Sequence, residues 1–195
     1  MIAGGGGIGS WLVQELDRLR KHGQIGPMYQ FTIFDNDTVE QKNLPYQNYD
    51  ELDLLDYKAR SLGERYLMNY ESIAVYKPVQ FDPYDIVISG VDNSKFRRML
   101  FTYMADHLEK YWIDLRAEGT QMAFYTKHKL NTLDLLIKTL PDETIDDKST
   151  SCQRSWELDA GVVQLGNKII AVIAAQLFLN NIRGESNPAS YTHIY

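Results

Sequence analysis

Apolar residues follow two alternating rhythms along most of this chain. Ile2 and Ala3 make a short apolar stub, after which Leu12, Leu16 and Leu19 recur every three or four residues and predict a helix over residues 8–20 with one buried face. The polar connection "RKHGQIGP" leads to "YQFTIFD", an aromatic and β-branched run ending in acid, as a buried parallel strand would. Together these segments predict a βαβ unit. "DELDLLDYKARSLGERYL" then sets Leu52, Leu55, Ala59, Leu62 and Tyr66 at helical spacing, with Asp50 as the cap and Lys58 off the apolar stripe. "IAVYKPV" and "YDIVISGVDN" predict strands, "KFRRMLFTYMADHLEKY" a helix and "YWIDL" another strand.

After Gly119 the alternation changes. "TQMAFYTKHKL" and "NTLDLLIKTL" predict antiparallel strands, and "PDETIDDKSTSCQRS" has neither period, which predicts a crossing loop at about 139–156. A final helix is expected over about 157–183, with Leu158, Val162, Leu165, Ile169 and Ile173 on one side and "RGESNPAS" ending it. Its oily run "IIAVIAAQLFL" is too short to span a bilayer and reads as a buried helix or a subunit interface. The expectation is α/β: a single domain over 1–195 with a Rossmann-like, mostly parallel sheet flanked by helices and an antiparallel C-terminal extension.

Composition narrows the function classes. A net charge of −6 argues against a surface that tracks nucleic-acid phosphates. One cysteine, Cys152, rules out a disulfide framework within the chain and an all-cysteine zinc site, and a reducing cytoplasmic setting is expected. The four histidines have no paired ligand spacing and read as surface or packing residues.

The chemistry begins at "MIAGGGGIGSW". Gly4-x-Gly6-x-x-Gly9 between a strand and a helix lets the turn tighten, lets backbone approach a ligand and lets the helix lie close to its strand. Exposed N–H groups at the start of that helix favour a phosphate, so a nucleotide site is expected, against the plainer reading of a tight turn. Asp35, at the end of the second strand, is suited to ribose hydroxyls or else to capping the following loop.

From "FDNDTVEQKNLPYQ" onward the sequence resembles the ThiF/MoeB-type, ubiquitin-activating-enzyme-like family of adenylating proteins. The matching residues are Gly4, Gly6, Gly7 and Gly9; Asp35, Asp37 and Val39; Asn43, Leu44 and Gln47; Lys58; and Asp92, Asn93 and Arg97, over roughly residues 2–125. The resemblance implies that ATP is held so that a C-terminal carboxylate of a ubiquitin-like or sulfur-carrier protein, or of a peptide, attacks its α-phosphate. By that resemblance Lys58 supplies charge, Asp92 anchors Mg, Asp35 holds ribose, Asn43 and Gln47 orient phosphate oxygens, and a homodimer or heterodimer is implied. The plainer roles are a solvated Lys58, an Asp92 that caps the next helix, Arg97 covering that helix's polar face, and Asn43 and Gln47 steadying a turn at Pro45.

The chain also departs from the pattern. Tyr46 stands where the family has an arginine, which removes a charged fork. Many members have a helix before the first strand, whereas here the glycines begin at position 4, so the expectation is either that this helix is dispensable or that the chain is a trimmed or partner-dependent version; zinc-binding cysteine pairs are missing, and Arg116, Lys127, His128 and Lys129 are the basic residues that could restore charge. Cys152 is a candidate acceptor of the acyl group as a thioester, or of sulfur as a persulfide, against an inert residue packed under the loop. A degenerate, non-catalytic subunit acting as a scaffold and an NAD-dependent oxidoreductase are the competing readings.

Overall fold

The computed structural model describes residues 1–75, 77–118, 121–127, 138–139 and 165–194. Among these residues seven strands form one sheet: β1 (Ile2–Ala3), β2 (Thr32–Phe34), β3 (Asn69–Glu71), β4 (Ile86–Ser89), β5 (Tyr111–Glu118), β6 (Gln121–Lys127) and β7 (Ser190–Ile194). Their order is β3-β2-β1-β4-β5-β6-β7. The first five are parallel, and β6 and β7 add antiparallel to the β5 edge. This is the expected Rossmann-like α/β arrangement with its antiparallel extension.

Among the described residues four α-helices cover the sheet: α1 (Gly7–Lys21), α2 (Lys58–Tyr66), α3 (Ser94–Asp106) and α4 (Gly166–Ile182). One face packs Leu12, Val13 and Leu16 of α1 and Ile170, Ala174 and Phe178 of α4 against Ile33, Ile88 and Ile113. The other packs Phe96, Leu100 and Met104 of α3 with Phe81 against Val87 and Trp112. Alternate residues of β5 therefore belong to different cores, which sends Trp112, Asp114 and Arg116 to the α3 side.

Three elements differ from their sequence patterns. Asp50 caps only a 3-10 turn over Glu51–Asp53, and α2 begins at Lys58, leaving Leu52 and Leu55 96% and 85% exposed. Backbone pairing explains this: Leu55 N donates to Val39 O and Val39 N donates to Asp56 O, and Leu55 takes a φ of 70°, which ends any helix. In place of "IAVYKPV" the strand is Asn69–Glu71, an exposed edge with no apolar alternation, while Pro78, lacking an N–H for a ladder, opens a 3-10 turn. On α4 the expected inward residues Leu165 and Ile169 are exposed; Leu158 and Val162 lie outside the described residues. That helix touches α1, β5 and β6, so it is apolar almost all round and its periodicity does not select a face.

The tail "ASYTHI", to which the sequence reading assigns no element, supplies β7, which pairs with β6 from Tyr125↔Ser190 to Gln121↔Ile194. Among the described residues no helix is long and apolar enough to cross a membrane.

Candidate nucleotide and acyl site

Strand order reverses between β1 and β4, and there the connections leave the carboxyl ends of the strands on opposite faces, opening a crevice. A cleft of about 820 Å³ occupies it. Gly4, Gly6, Gly7, Asp35, Asp37, Asn43, Gln47, Lys58, Asp92 and Asn93 all line it, so the fold gathers nearly every residue proposed from sequence. Gly9 does not line it, and Cys152 lies outside the described residues.

The glycines divide the work. Gly4 has a φ of 98°, a conformation that side chains resist. A Cβ on Gly9 would stand 1.8 Å from Gly4 O, so this glycine lets α1 close onto β1 rather than touching a ligand. A Cβ on Gly6 would meet nothing within 4 Å, which leaves backbone bare at the cleft where the first N–H groups of α1 have no partner within the helix.

Asp35 holds the turn from the side. Its Oδ2 accepts from Gly5 N at 2.6 Å and its Oδ1 from Asp37 N at 2.8 Å. Burial raises its pKa above the ordinary carboxylate value, an effect partly offset by the nearby Lys58 charge. Tyr49, overlooked in the sequence, donates its hydroxyl to Gly5 O at 2.6 Å, and burial together with Asp35 drives that phenol's pKa well up. Removing this hydroxyl in Tyr49→Phe strands a buried carbonyl. Urea unfolding is expected to show a loss of about 1–3 kcal/mol; an unchanged midpoint would mean the turn is held without it.

Lys58 is buried, contrary to the solvated reading. Its Nζ lies 3.0 Å from Asp37 Oδ2, with the lysine side chain 8% exposed and the aspartate 64%. The 37–58 loop puts it there, because Lys58 N donates to Asp37 O and Thr38 bridges Tyr57. Arg65 of α2 braces the same loop through Asn48 O, Asp50 and Asp53, and Ser61 also donates to Asp53.

Asn43 Oδ1 accepts from Glu40 N at 2.9 Å and its Nδ2 donates to Tyr46 Oη at 3.4 Å. Gln47 Oε1 is buried with no partner, a loose polar end beside the cleft. Tyr46, at the arginine position, is also buried and lines the cleft. Lys42 pairs with Glu40 at 3.0 Å.

On the α3 side, Asn93 caps the helix by accepting from Phe96 N at 3.0 Å. The plainer role for Asp92 is thereby taken by its neighbour, and Asp92 is left exposed at the cleft. Arg97 does not cover a polar face: it turns inward, and its Nε lies 3.2 Å from Asp114. Asp114 is fully buried, accepting also from Arg116 Nε and Ser89 Oγ, each at 2.8 Å. Trp112 Nε1 in turn donates to Ser89 Oγ. Beside this cluster is a second pocket of about 320 Å³ that shares Gly90, Val91 and Asp92 with the cleft. Sequence singled out Arg97 and Arg116 separately but gave no sign that Asp114 joins them, since Arg97 reaches it from α3, 17 positions away.

The remaining basic candidates separate. Lys127 is buried away from the cleft, donating to His107 O and to Lys110 O, while His128 and Lys129 lie outside the described residues.

A model of the ThiF family matches residues 1–195. No curated protein matches this chain. Among solved structures, E. coli MccB with ATP superposes with a TM-score of 0.70 at 16% identity, covering 100% of this chain and 59% of that one. PaaA, solved with selenomethionine, gives 0.69 at 15% identity, covering 99% and 60%. E. coli MccB with MccA-N7isoASN gives 0.66 at 15%, covering 100% and 60%. The chain thus spans about 60% of the length of these proteins.

Proposed function

The chain belongs to the ThiF family, and from that premise we propose that it is an ATP-dependent adenylating enzyme acting on the C-terminal carboxylate of a peptide or of a small ubiquitin-like or sulfur-carrier protein. The observation that carries this reading is a single cleft at the strand-order reversal that is lined both by the bare backbone of Gly6 and by the buried Lys58. MccB has been solved with ATP and with MccA-N7isoASN, which fits the same assignment of substrates.

In this reaction a carboxylate oxygen attacks the α-phosphorus, the bond from that phosphorus to the bridging oxygen breaks, and pyrophosphate leaves with the electron pair as an acyl adenylate forms. Both reactants are anionic, so the protein must oppose their repulsion and hold an in-line approach. Lys58 offers a charge already desolvated and steadied by Asp37. The first N–H groups of α1 offer backbone donors. Asp35 is assigned to ribose hydroxyls, and Asn43 and Gln47, as amide N–H donors lining the cleft, to phosphate oxygens.

Mg²⁺ usually takes one or two carboxylates together with substrate phosphates. Asp92, exposed at the cleft, suits that manner of binding; among the described residues no group of three or more acids, histidines or cysteines could hold an ion alone. A cation held there would neutralise charge developing on the leaving pyrophosphate. Transfer to Cys152 would be a separate, later step, and none of the cleft roles depends on it.

A second reading, a non-catalytic subunit that borrows cations from a partner, is favoured by Tyr46 and by a lining that includes Asp35, Asp37, Glu40 and Asp92 against Lys42, Lys58 and Lys95. Calorimetry with ATP and ATP–pyrophosphate exchange with peptide or carrier carboxylates separates the two. Binding and exchange are expected, with exchange lost when Mg²⁺ is withheld and reduced about 10²-fold or more in Asp92→Asn. ATP binding with no exchange supports the subunit reading. Preference for NAD over ATP would point to an oxidoreductase instead.

A further inference from the structure

We propose that Lys95 is the cation that meets the outer phosphates of ATP, the part that departs as pyrophosphate. The inference rests on the adenylation reading and adds to it a residue that touches the nucleotide from the β4 side of the cleft.

Of the three lysines that line the cleft, two are already committed. Lys58 Nζ lies 3.0 Å from Asp37 Oδ2, and Lys42 Nζ lies 3.0 Å from Glu40 Oε2. Among the described residues the lining has no arginine or histidine, and Tyr46 offers only a hydroxyl. Asp35 is engaged by the N–H groups of Gly5 and Asp37. Among the described residues this leaves two lining charges with neither a side-chain hydrogen bond nor an ion pair, Asp92 and Lys95. They stand three positions apart and do not pair with each other. A triphosphate with its divalent cation calls for the same two groups, a carboxylate for the metal and a cation for the phosphate oxygens.

The position of Lys95 works against its own helix. It is the second residue of α3, in a first turn that has no acid, where the helix end is already positive and a cation is disfavoured. The residue is exposed and has no carboxylate partner among the described residues, so local packing does not account for a lysine there. An anion in the cleft does, because the lysine and the helix end attract it together.

The sheet separates the two lysines that are left to face phosphate. Lys58 is held to Asp37, just past β2, and its charge opposes the effect of burial on Asp35. It therefore belongs to the end assigned to ribose and the inner phosphate. Lys95 follows β4, and β1 with its glycine turn lies between β2 and β4. A nucleotide with ribose at Asp35 and its first phosphate on the bare turn at Gly6 extends toward the β4 side, where Asp92 and Lys95 line the cleft. Carried on a flexible four-carbon stem without an anchor, Lys95 is free to follow the pyrophosphate as charge builds on it.

The test uses the full chain with AMP, ADP and ATP in the presence of Mg²⁺, read by calorimetry, or by competition against ATP where binding is too weak to titrate. Lys95→Met is expected to weaken ATP and ADP about 10–100-fold, the range of one charge-assisted hydrogen bond, while AMP stays within about twofold of the parent chain. ATP–pyrophosphate exchange should fall with it, and Lys95→Arg, which keeps the cation, should retain most of both. Lys58→Met supplies the contrast, since a cation at the inner phosphate is felt by all three nucleotides. Removing Lys95 takes an unfavourable charge from the start of α3, so the melting temperature is expected to hold or rise slightly. A fall in melting temperature shared by Lys95→Arg would mark a structural role and overturn the assignment. Unchanged ATP affinity in Lys95→Met, or AMP weakened as much as ATP, overturns it too. If Lys95→Met changes nothing while the parent chain binds and exchanges, the adenylation reading stands without this residue; a parent chain that binds no ATP defeats both.

Discussion

Replacing Lys58 with methionine is expected to lower ATP–pyrophosphate exchange by about 10²–10³-fold, the usual consequence of removing one group that stabilises transition-state charge. Methionine fills nearly the same volume, so the substitution removes charge with little change in shape. Stability should change little, because the partner Asp37 is largely exposed and hydrates once its lysine is gone, whereas a buried orphan acid would be costly. A second effect follows from Asp35. Burial already raises its pKa, and the Lys58 charge holds that rise in check. Without the lysine, Asp35 should protonate at higher pH, and the acid limb of ATP binding should move toward neutrality. Binding that depends on the ionised carboxylate is present above its folded-state pKa and is lost as pH falls through it. Exchange within threefold of the parent chain, or an acid limb that stays in place, would show that Lys58 does not face the phosphates.

The second large effect is Gly9→Ala. In an unconstrained helix this change is favourable by about 1 kcal/mol. Here the new methyl group would sit 1.8 Å from Gly4 O and 2.8 Å from Gly4 C, so either α1 must back away from β1 or the turn must open. Overpacking of this kind costs about 3 kcal/mol, which outweighs the gain in propensity, and ATP binding should be lost with the turn. For a chain of this size a net 2 kcal/mol corresponds to a fall in Tm of about 4–8 °C. Gly6→Ala is the informative partner, since its Cβ meets nothing in the protein and the change at this N-cap costs only about 1 kcal/mol. It should melt near the parent temperature yet bind ATP poorly, because the methyl group stands in the cleft. If both variants melt and bind alike, the division of labour among the glycines is wrong.

The cleft proposed for nucleotide was legible in the sequence because its residues are tied to local features. Gly4, Gly6 and Gly9 carry backbone constraints that act over a few residues, and Asp35 and Asp92 stand just past strands whose apolar character is plain. Helices α1 and α3 were legible because each has a period matched to one covered face, and strands β1, β2, β4 and β5 because they are short apolar runs covered on both faces. Lys58 was recognisable by position, but its burial was not, since that depends on a backbone pairing between Val39 and residues 55–56 that overrides the helical spacing of Leu52 and Leu55.

What the sequence alone determined is the chemistry at the strand-order reversal: which glycines, acids and amides are available, and in which order they reach the carboxyl ends of the strands. Tertiary structure alone decided how Tyr49 braces Gly5, how β7 closes on β6, and how Arg97, Asp114 and Arg116 meet beside a second pocket. Tyr49 and Gly5, β7 and β6, and Arg97 and Asp114 stand 17 to more than 60 positions apart. Periodicity registers which face of an element is covered, and it carries no record of what lies opposite.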